Sequence, residues 1–144
     1  MIEQFTARAE AASAKVHAVA DEAAAVHLVD SFRTEKTAAG LELGVVRAEK
    51  GIAQTGTCIV VTDDEDVRLK TMLPEVSVIL LDAADILPDL PSAAAFLRAE
   101  QTKGSPSYVS FITGPSRTAD IERVSAIGVH GPLEFHIVLI GGHP

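Results

Sequence analysis

The pattern of apolar and polar residues divides the chain into short strands and helices that follow one another in turn. Residues 76–81 are almost entirely apolar, which is typical of a strand covered on both faces. Shorter apolar or alternating runs predict further strands at residues 15–19, 43–47, 57–62, 108–113 and 135–140. Helical spacing and capping residues predict helices at residues 3–14, 22–37, 67–72, 91–102 and 118–123. Residues 25–31 are rich enough in β-branched side chains that a strand is an alternative there. A turn is predicted at residues 49–51 and a loop at residues 85–90.

The alternation of strands and helices predicts a three-layer α/β/α domain with a mostly parallel sheet. With 144 residues the chain is expected to form one domain, an N-terminal helix at residues 1–14 followed by a core at 15–144. In such sheets ligands bind beyond the carboxyl ends of the strands. We therefore expect the glycine-rich segments after Arg47 and Thr113 to lie at that edge.

Composition narrows the functional classes. The net charge of −8 argues against a nucleic-acid surface, which needs clustered Lys and Arg. Cys58 is the only cysteine, so the chain can form no internal disulfide and supply no cysteine-based iron–sulfur or zinc site. We expect Cys58 to be a buried apolar residue.

The five histidines form no i, i+4 pair, and no metal site or cofactor is predicted. No signal peptide and no run of membrane-spanning length is apparent, so a cytoplasmic protein without membrane contact is expected.

Residues 51–57 have the glycine spacing of a P-loop, but Thr57 stands where that motif needs lysine and a strand follows instead of a helix. This excludes ATP hydrolysis of the P-loop type. Two interpretations remain open. Thr55, Gly56 and Thr57 either hold an anion through amides and hydroxyls, or they form a tight turn whose hydroxyls bond locally.

Residues 114–122 are predicted as a strand end, a glycine-rich turn and the start of a helix, an arrangement that suits a carboxylate or phosphate ligand. Gly114, Ser116 and Thr118 are the predicted ligand contacts. Asp120 and Glu122 are candidate catalytic carboxylates, although acidic residues in a first turn are also common partners of the helix dipole.

His130 lies between Gly128 and Gly131 in a segment with little bulk of its own. Its pKa range would allow it to transfer protons or to bind an anion beside Gly131, and we treat it as a candidate catalytic residue. The alternative is a turn histidine whose ring bonds a carbonyl group.

Three segments, at residues 52–57, 114–122 and 128–132, occur in this order with Leu73-Pro74 and Ile86-Leu87-Pro88 between them. With these motifs the chain resembles the lactate-utilisation (LUD) domain family, in particular its protein C branch, from about residue 16 to the C-terminus. The resemblance implies a fold similar to the glucosamine-phosphate isomerase, ribose-phosphate isomerase and CoA-transferase superfamily. It also implies a role in oxidising L-lactate to pyruvate beside two partner proteins that carry iron–sulfur clusters.

Three functions follow as hypotheses. The first is a cluster-free subunit of lactate oxidation that binds a small anionic ligand while partners transfer the electrons. The second is a stand-alone isomerase or acyl/CoA-transferase-like enzyme, in which Asp120, Glu122 or Glu134 acts as base or nucleophile and His130 as acid. The third is a structural or regulatory partner without a small-molecule ligand. Whether the chain forms a homo-oligomer is left open.

Overall fold

Four α-helices and two β-sheets make up the part of the chain described by the computed structural model, residues 1–70, 74–104, 108–117 and 132–142, with backbone alone at 68, 116 and 117. The helices are α1 (Ile2–Ala11), α2 (Glu22–Ala38), α3 (Glu65–Lys70) and α4 (Leu90–Gln101). The strands are β1 (Lys15–Val19), β2 (Leu43–Arg47), β3 (Lys50–Ile52), β4 (Thr57–Thr62), β5 (Val76–Asp82), β6 (Ile86–Leu87), β7 (Tyr108–Thr113), β8 (Ser116–Arg117) and β9 (Glu134–Ile140).

The first sheet is parallel throughout, with the strand order β1-β9-β5-β2. Its two inner strands, β5 and β9, are the most continuously buried, as expected for strands covered on both faces. The prediction of an α/β fold with a mostly parallel sheet is confirmed. All six predicted strands are present, with boundaries within one residue of the prediction.

The second sheet, with the order β6-β3-β4-β7-β8, was not predicted from the sequence. All of its pairs are antiparallel except β3 with β6. The predicted turn at residues 49–51 and loop at 85–90 are wrong, because they contain β3 and β6. Strands of two or three residues are too short to show periodicity, and they are held by pairing with neighbouring strands.

Helix α2 begins where the sequence predicted. The Asp21 side chain accepts a hydrogen bond from the Ala24 amide at 2.9 Å and so caps the first turn. The alternative strand at residues 25–31 is therefore wrong. Helix α1 ends at Ala11 instead of residue 14, because Ser13 adopts a positive φ of 77° before β1 begins. The helix predicted at residues 118–123 lies outside the described residues.

The elements stack in the order α2, parallel sheet, second sheet with α1, and α4. Helix α2 packs Ala25 and Val29 on one face of the parallel sheet. The opposite face meets α1 and the second sheet in a core that includes Phe5 and the buried Cys58. Burial raises the pKa of the Cys58 thiol to about 12, so it is an unreactive core residue. Helix α4 covers the far face of the second sheet through Ala93.

No helix among the described residues is both long enough and apolar enough to cross a membrane.

Candidate functional site

Three threonine hydroxyls meet at one end of the second sheet. Thr55 and Thr57 lie on the turn into β4, and their Oγ1 atoms are 2.7 Å apart. Thr57 Oγ1 is also 2.7 Å from Thr113 Oγ1 at the end of β7. The antiparallel pairing of Cys58 with Ile112 sets this contact, because it places Thr57, which precedes Cys58, beside Thr113, which follows Ile112. Residues from distant parts of the sequence thus form one hydroxyl cluster (Thr55, Thr57 and Thr113).

The hydroxyl cluster has one donor in excess. Each of the three hydroxyls carries one O–H, and the two hydrogen bonds between them use two. Within the described residues, the third O–H has no hydrogen-bond acceptor. Thr57 is buried, whereas Thr55 and Thr113 are partly exposed, so the spare donor can reach a small ligand or water.

Two glycines beside the hydroxyl cluster pack against the C-terminal end of α1. Gly56 has a φ of +69°, and a Cβ at this position would lie 2.3 Å from the Ala9 amide nitrogen. Gly114 has a φ of +64°, and a Cβ there would lie 2.0 Å from the Ala12 carbonyl oxygen. Only glycine combines this backbone conformation with such a close approach.

The amide of Gly56 is not available to a ligand, because it donates a 2.8 Å hydrogen bond to the Ile52 carbonyl. The amides of Ala53 and Gln54 bond to the carbonyls of Leu87 and Pro88. The backbone amides at these three positions are thus satisfied within the protein, one by the turn itself and two by the segment that contains β6. What the turn can present to a ligand is therefore its hydroxyl groups.

The backbone of Arg8 lies at the same corner. Arg8 is an exposed residue of α1, and its carbonyl carbon lies 2.6 Å from where a Cβ of Gly56 would be. On the other side of the corner, the β7–β8 pairing places Ser116 opposite Thr113 and Arg117 opposite Ile112. The backbones of Arg8, Ser116 and Arg117 thus lie around this end of the second sheet.

The structure brings together four of the predicted contacts, Thr55, Gly56, Thr57 and Gly114, and it places the Ser116 backbone next to them. Of the other candidate residues, Glu134 lies on β9 of the parallel sheet, and five lie outside the described residues: Thr118, Asp120, Glu122, His130 and Gly131.

The expectation that Gly114 follows a parallel strand is wrong. β7 pairs antiparallel with β4 in the second sheet, so the rule for carboxyl ends of parallel strands does not apply to it. The segment after Arg47 does leave the carboxyl end of a parallel strand, β2, and continues directly into β3.

A second group of polar side chains includes the candidate Glu134, but its grouping with a lysine and two histidines was not predicted from the sequence. Lys36 Nζ lies 3.0 Å from Glu134 Oε2, and His136 Nε2 lies 2.9 Å from Glu134 Oε1. His136 Nδ1 in turn lies 2.9 Å from His17 Nε2. We call these four residues the polar network. The rings of both histidines also contact Phe32 on α2.

Alternation along β9 places Glu134 and His136 on one face, and this was the signal available in the sequence. The missing information was the partner, because His17 is 119 positions away from His136. Parallel pairing of β1 with β9 brings the two histidines together.

The side chains of the polar network shift the pKa values of their neighbours. Hydrogen bonds from His136 and Lys36 lower the pKa of Glu134, and the Glu134 carboxylate raises the pKa of Lys36. Burial, and then the neighbouring His136, lower the pKa of His17. The network lies at the amino end of β9 and beside the middle of β1, away from the edge where parallel sheets bind ligands. Among the described residues no group of three or more acidic, cysteine or histidine side chains is arranged to hold a metal ion.

Two shallow surface cavities do not coincide with the hydroxyl cluster. One, of about 330 Å³, lies between β2 and α3 and is lined by Gly44 and Pro74 among others. The other, of about 360 Å³, lies between α1 and β1, and its charged lining residues are Glu3 and Glu10. Two carboxylates do not suit an anionic ligand.

Comparison with known proteins gives consistent matches. Residues 33–140 match the family model described as the LUD domain. "Lactate utilization protein C" of Geobacillus thermodenitrificans is 32% identical over 100 residues, which cover 68% of this chain and 42% of that protein. "Uncharacterized protein YkgG" of Escherichia coli is 37% identical over 101 residues, covering 69% and 44%. "Lactate utilization protein C" of a Geobacillus species (strain WCH70) is 30% identical over 120 residues, covering 80% and 50%.

Among solved structures, a DUF162 family protein from Deinococcus radiodurans matches with a TM-score of 0.69 at 14% identity, over 96% of this chain and 95% of that one. At this identity the match shows the shared fold. The chain spans about half the length of the curated relatives it matches.

Proposed function

The chain belongs to the LUD domain family, and from this premise we propose that it takes part in oxidising L-lactate to pyruvate as a subunit that binds a small carboxylate. Two of the relatives reported above carry the name "Lactate utilization protein C", which supports the choice of pathway. The ligand-binding residues and the role as a subunit rest on the geometry of the hydroxyl cluster and on the resemblance.

The single observation that carries the proposal is the spare O–H donor of the hydroxyl cluster. A carboxylate is acceptor-only and forms its strongest hydrogen bonds with donors that are fixed in place. Thr57 is fixed by two hydroxyl contacts and by burial in the sheet. Thr55 and Thr113 leave the cluster partly open to solvent.

Oxidation of L-lactate releases two electrons and two protons, which an acceptor must take up. The chain has one cysteine, Cys58, and its buried, protonated thiol is no ligand for an iron–sulfur cluster. We therefore propose that the electron acceptors reside on iron–sulfur partner proteins, as the resemblance implies, and that this chain holds the substrate or product carboxylate.

Ligand binding is tested by thermal unfolding in the presence of millimolar L-lactate or pyruvate. A ligand that binds the folded state raises the unfolding midpoint. Thr57→Val removes the central hydroxyl with little change in volume, and we expect it to weaken binding about tenfold or more, since a hydrogen bond to a charged group contributes about 1.5–3 kcal/mol. Thr34→Val, an exposed threonine on α2, is the matched control and should bind like the wild type.

No shift of the wild-type midpoint with either acid would contradict the carboxylate part of the proposal. The partner part is tested separately, by purifying the tagged chain from its native cell and recording the visible spectrum of what co-purifies. An iron–sulfur absorption band is expected, and repeated recovery of the chain without iron would contradict that part.

A further inference from the structure

The polar network connects three elements that the sequence keeps far apart. Lys36 lies in the last turns of α2, Glu134 and His136 lie on β9, and His17 lies on β1. His136 is 4% exposed, so the centre of the network is shielded from water. β1 is an edge strand of the parallel sheet, and the contact between His17 and His136 adds to its pairing with β9.

The hydrogen bonds of the network fix where the protons lie. Glu134 is ionised and can only accept, so His136 must carry its proton on Nε2. The neutral His136 then has a lone pair on Nδ1, and His17 must donate to it from its own Nε2. Both neutral imidazoles are therefore Nε2–H tautomers, and the N–H of each ring faces an acceptor.

Counting protons shows what the arrangement tolerates. A proton added to either ring leaves one N–H facing one lone pair across the 2.9 Å contact, because the other ring can adopt the matching tautomer. When both rings are protonated, two N–H groups face each other, and the contact becomes repulsive.

The groups around the histidines set the balance of charges. Lys15 on β1 disfavours a cation on His17 and Glu10 on α1 favours it, while on β5 the residue paired with His136 is the apolar Val78. On α2, Lys36 is held by two carboxylates, Glu35 at 3.2 Å and Glu134 at 3.0 Å. Within the part of the chain that the structure describes, Glu134 is the one carboxylate that contacts a histidine of the network, and it is shared with Lys36.

We propose that the polar network is a proton-responsive contact: it holds β1 and the C-terminal end of α2 on the parallel sheet while at most one histidine is protonated, and it opens when both are. Nothing in this proposal depends on the ligand of the hydroxyl cluster, which lies on the second sheet.

The direction of the pH effect follows from the lowered pKa of His17. Because the folded-state pKa lies below the ordinary value of about 6.5, the unfolded chain takes up the proton first as the pH falls. The stability of the fold should therefore decrease from about pH 6.5 downwards. The lowered pKa of Glu134 acts in the same direction at lower pH, below about 4.5.

The first test measures urea unfolding midpoints of the full chain between pH 8 and pH 5. His17→Gln keeps a donor for His136 Nδ1 but cannot be protonated, and we expect it to lose at least half of the wild-type decrease in midpoint. His27→Gln removes an exposed histidine of α2 outside the network and should retain the full decrease. Equal pH dependence of His17→Gln and the wild type would overturn the proposal.

The second test uses the wild-type protein, so it stands even if His17→Gln does not fold. Long-range ¹⁵N correlation spectra at pH 8 should show the Nε2–H tautomer for both histidines. Amide exchange, corrected for its intrinsic pH dependence, should then accelerate in β1 and the last turns of α2 between pH 7 and pH 5, but not in α4. Other tautomers, or the same acceleration in α4, would overturn the proposal.

Discussion

At the scale of single residues, Gly56 and Gly114 let α1 approach the second sheet more closely than any side chain would allow. Both have positive φ values, and both face the backbone of α1 at distances where a Cβ cannot fit. Gly40 offers a comparison, since its φ of +79° is similar but nothing lies within 4 Å of its would-be Cβ. Substitution of Gly40 therefore measures the cost of backbone strain alone, whereas substitution of Gly56 or Gly114 adds the cost of a steric clash.

We predict that Gly114→Ala lowers the free energy of unfolding by more than about 2 kcal/mol, because strain of about 1–2 kcal/mol adds to a clash with the Ala12 carbonyl. Gly40→Ala carries the strain alone and should cost about 1 kcal/mol. Urea unfolding of both variants measures the difference. Equal losses would mean that α1 moves aside at no cost.

For single residues, the sequence predicts those properties that depend on adjacent residues in the chain. Cys58 could be predicted as buried from the apolar run around it. The Thr57–Thr113 contact and the His17–His136 contact could not be predicted, because they depend on strand pairing between residues 56 and 119 positions apart.

At the scale of elements, the helices α2 and α4 begin at capping residues that the sequence shows, whereas the short strands β3 and β6 depend on pairing with other strands. Asp21 and Asp89 both adopt extended backbone and accept hydrogen bonds from the first turns of α2 and α4. Aspartate before an apolar helical segment is a local signal, and this is why α2 could be predicted from residue 22. β3 and β6 have no such signal, since the parallel pairing of Gly51 with Ile86 forms only after both strands are in place.

We predict that Asp21→Ala lowers the free energy of unfolding by about 1 kcal/mol through loss of the cap on α2. Asp21→Asn keeps an acceptor oxygen for the Ala24 amide and should remain close to the wild type. Chemical denaturation at pH 7 distinguishes the two variants. A loss for Asn as large as that for Ala would show that the charge, and not the cap, stabilises the helix.

At the scale of the whole molecule, α1 is a central part of the core. Phe5 is fully buried, and its ring lies beside Gly51 of the second sheet within the same core that contains Ile79 and Ile137 of the parallel sheet. The sequence predicted α1 as a helix but gave no reason to place it between the layers, because the second sheet was not foreseen.

We predict that Phe5→Ala destabilises the fold by about 3–5 kcal/mol, the usual cost of a large cavity in a core. Val26→Ala on α2, where the side chain is 57% exposed, is the control and should change stability by no more than about 0.5 kcal/mol. Calorimetry of both variants provides the comparison. A small effect of Phe5→Ala would mean that α1 is peripheral to the fold.

The position of β9 in the parallel sheet has a consequence for biosynthesis. This strand is the last in sequence among the described elements, yet it lies between β1 and β5. Residue 140 must therefore leave the ribosome before β1 can pair with β9. Until then the edges of β1 and β5 that pair with β9 are exposed in the nascent polypeptide, which favours chaperone binding. A chain whose translation stops before residue 134 lacks β9 and cannot complete the parallel sheet.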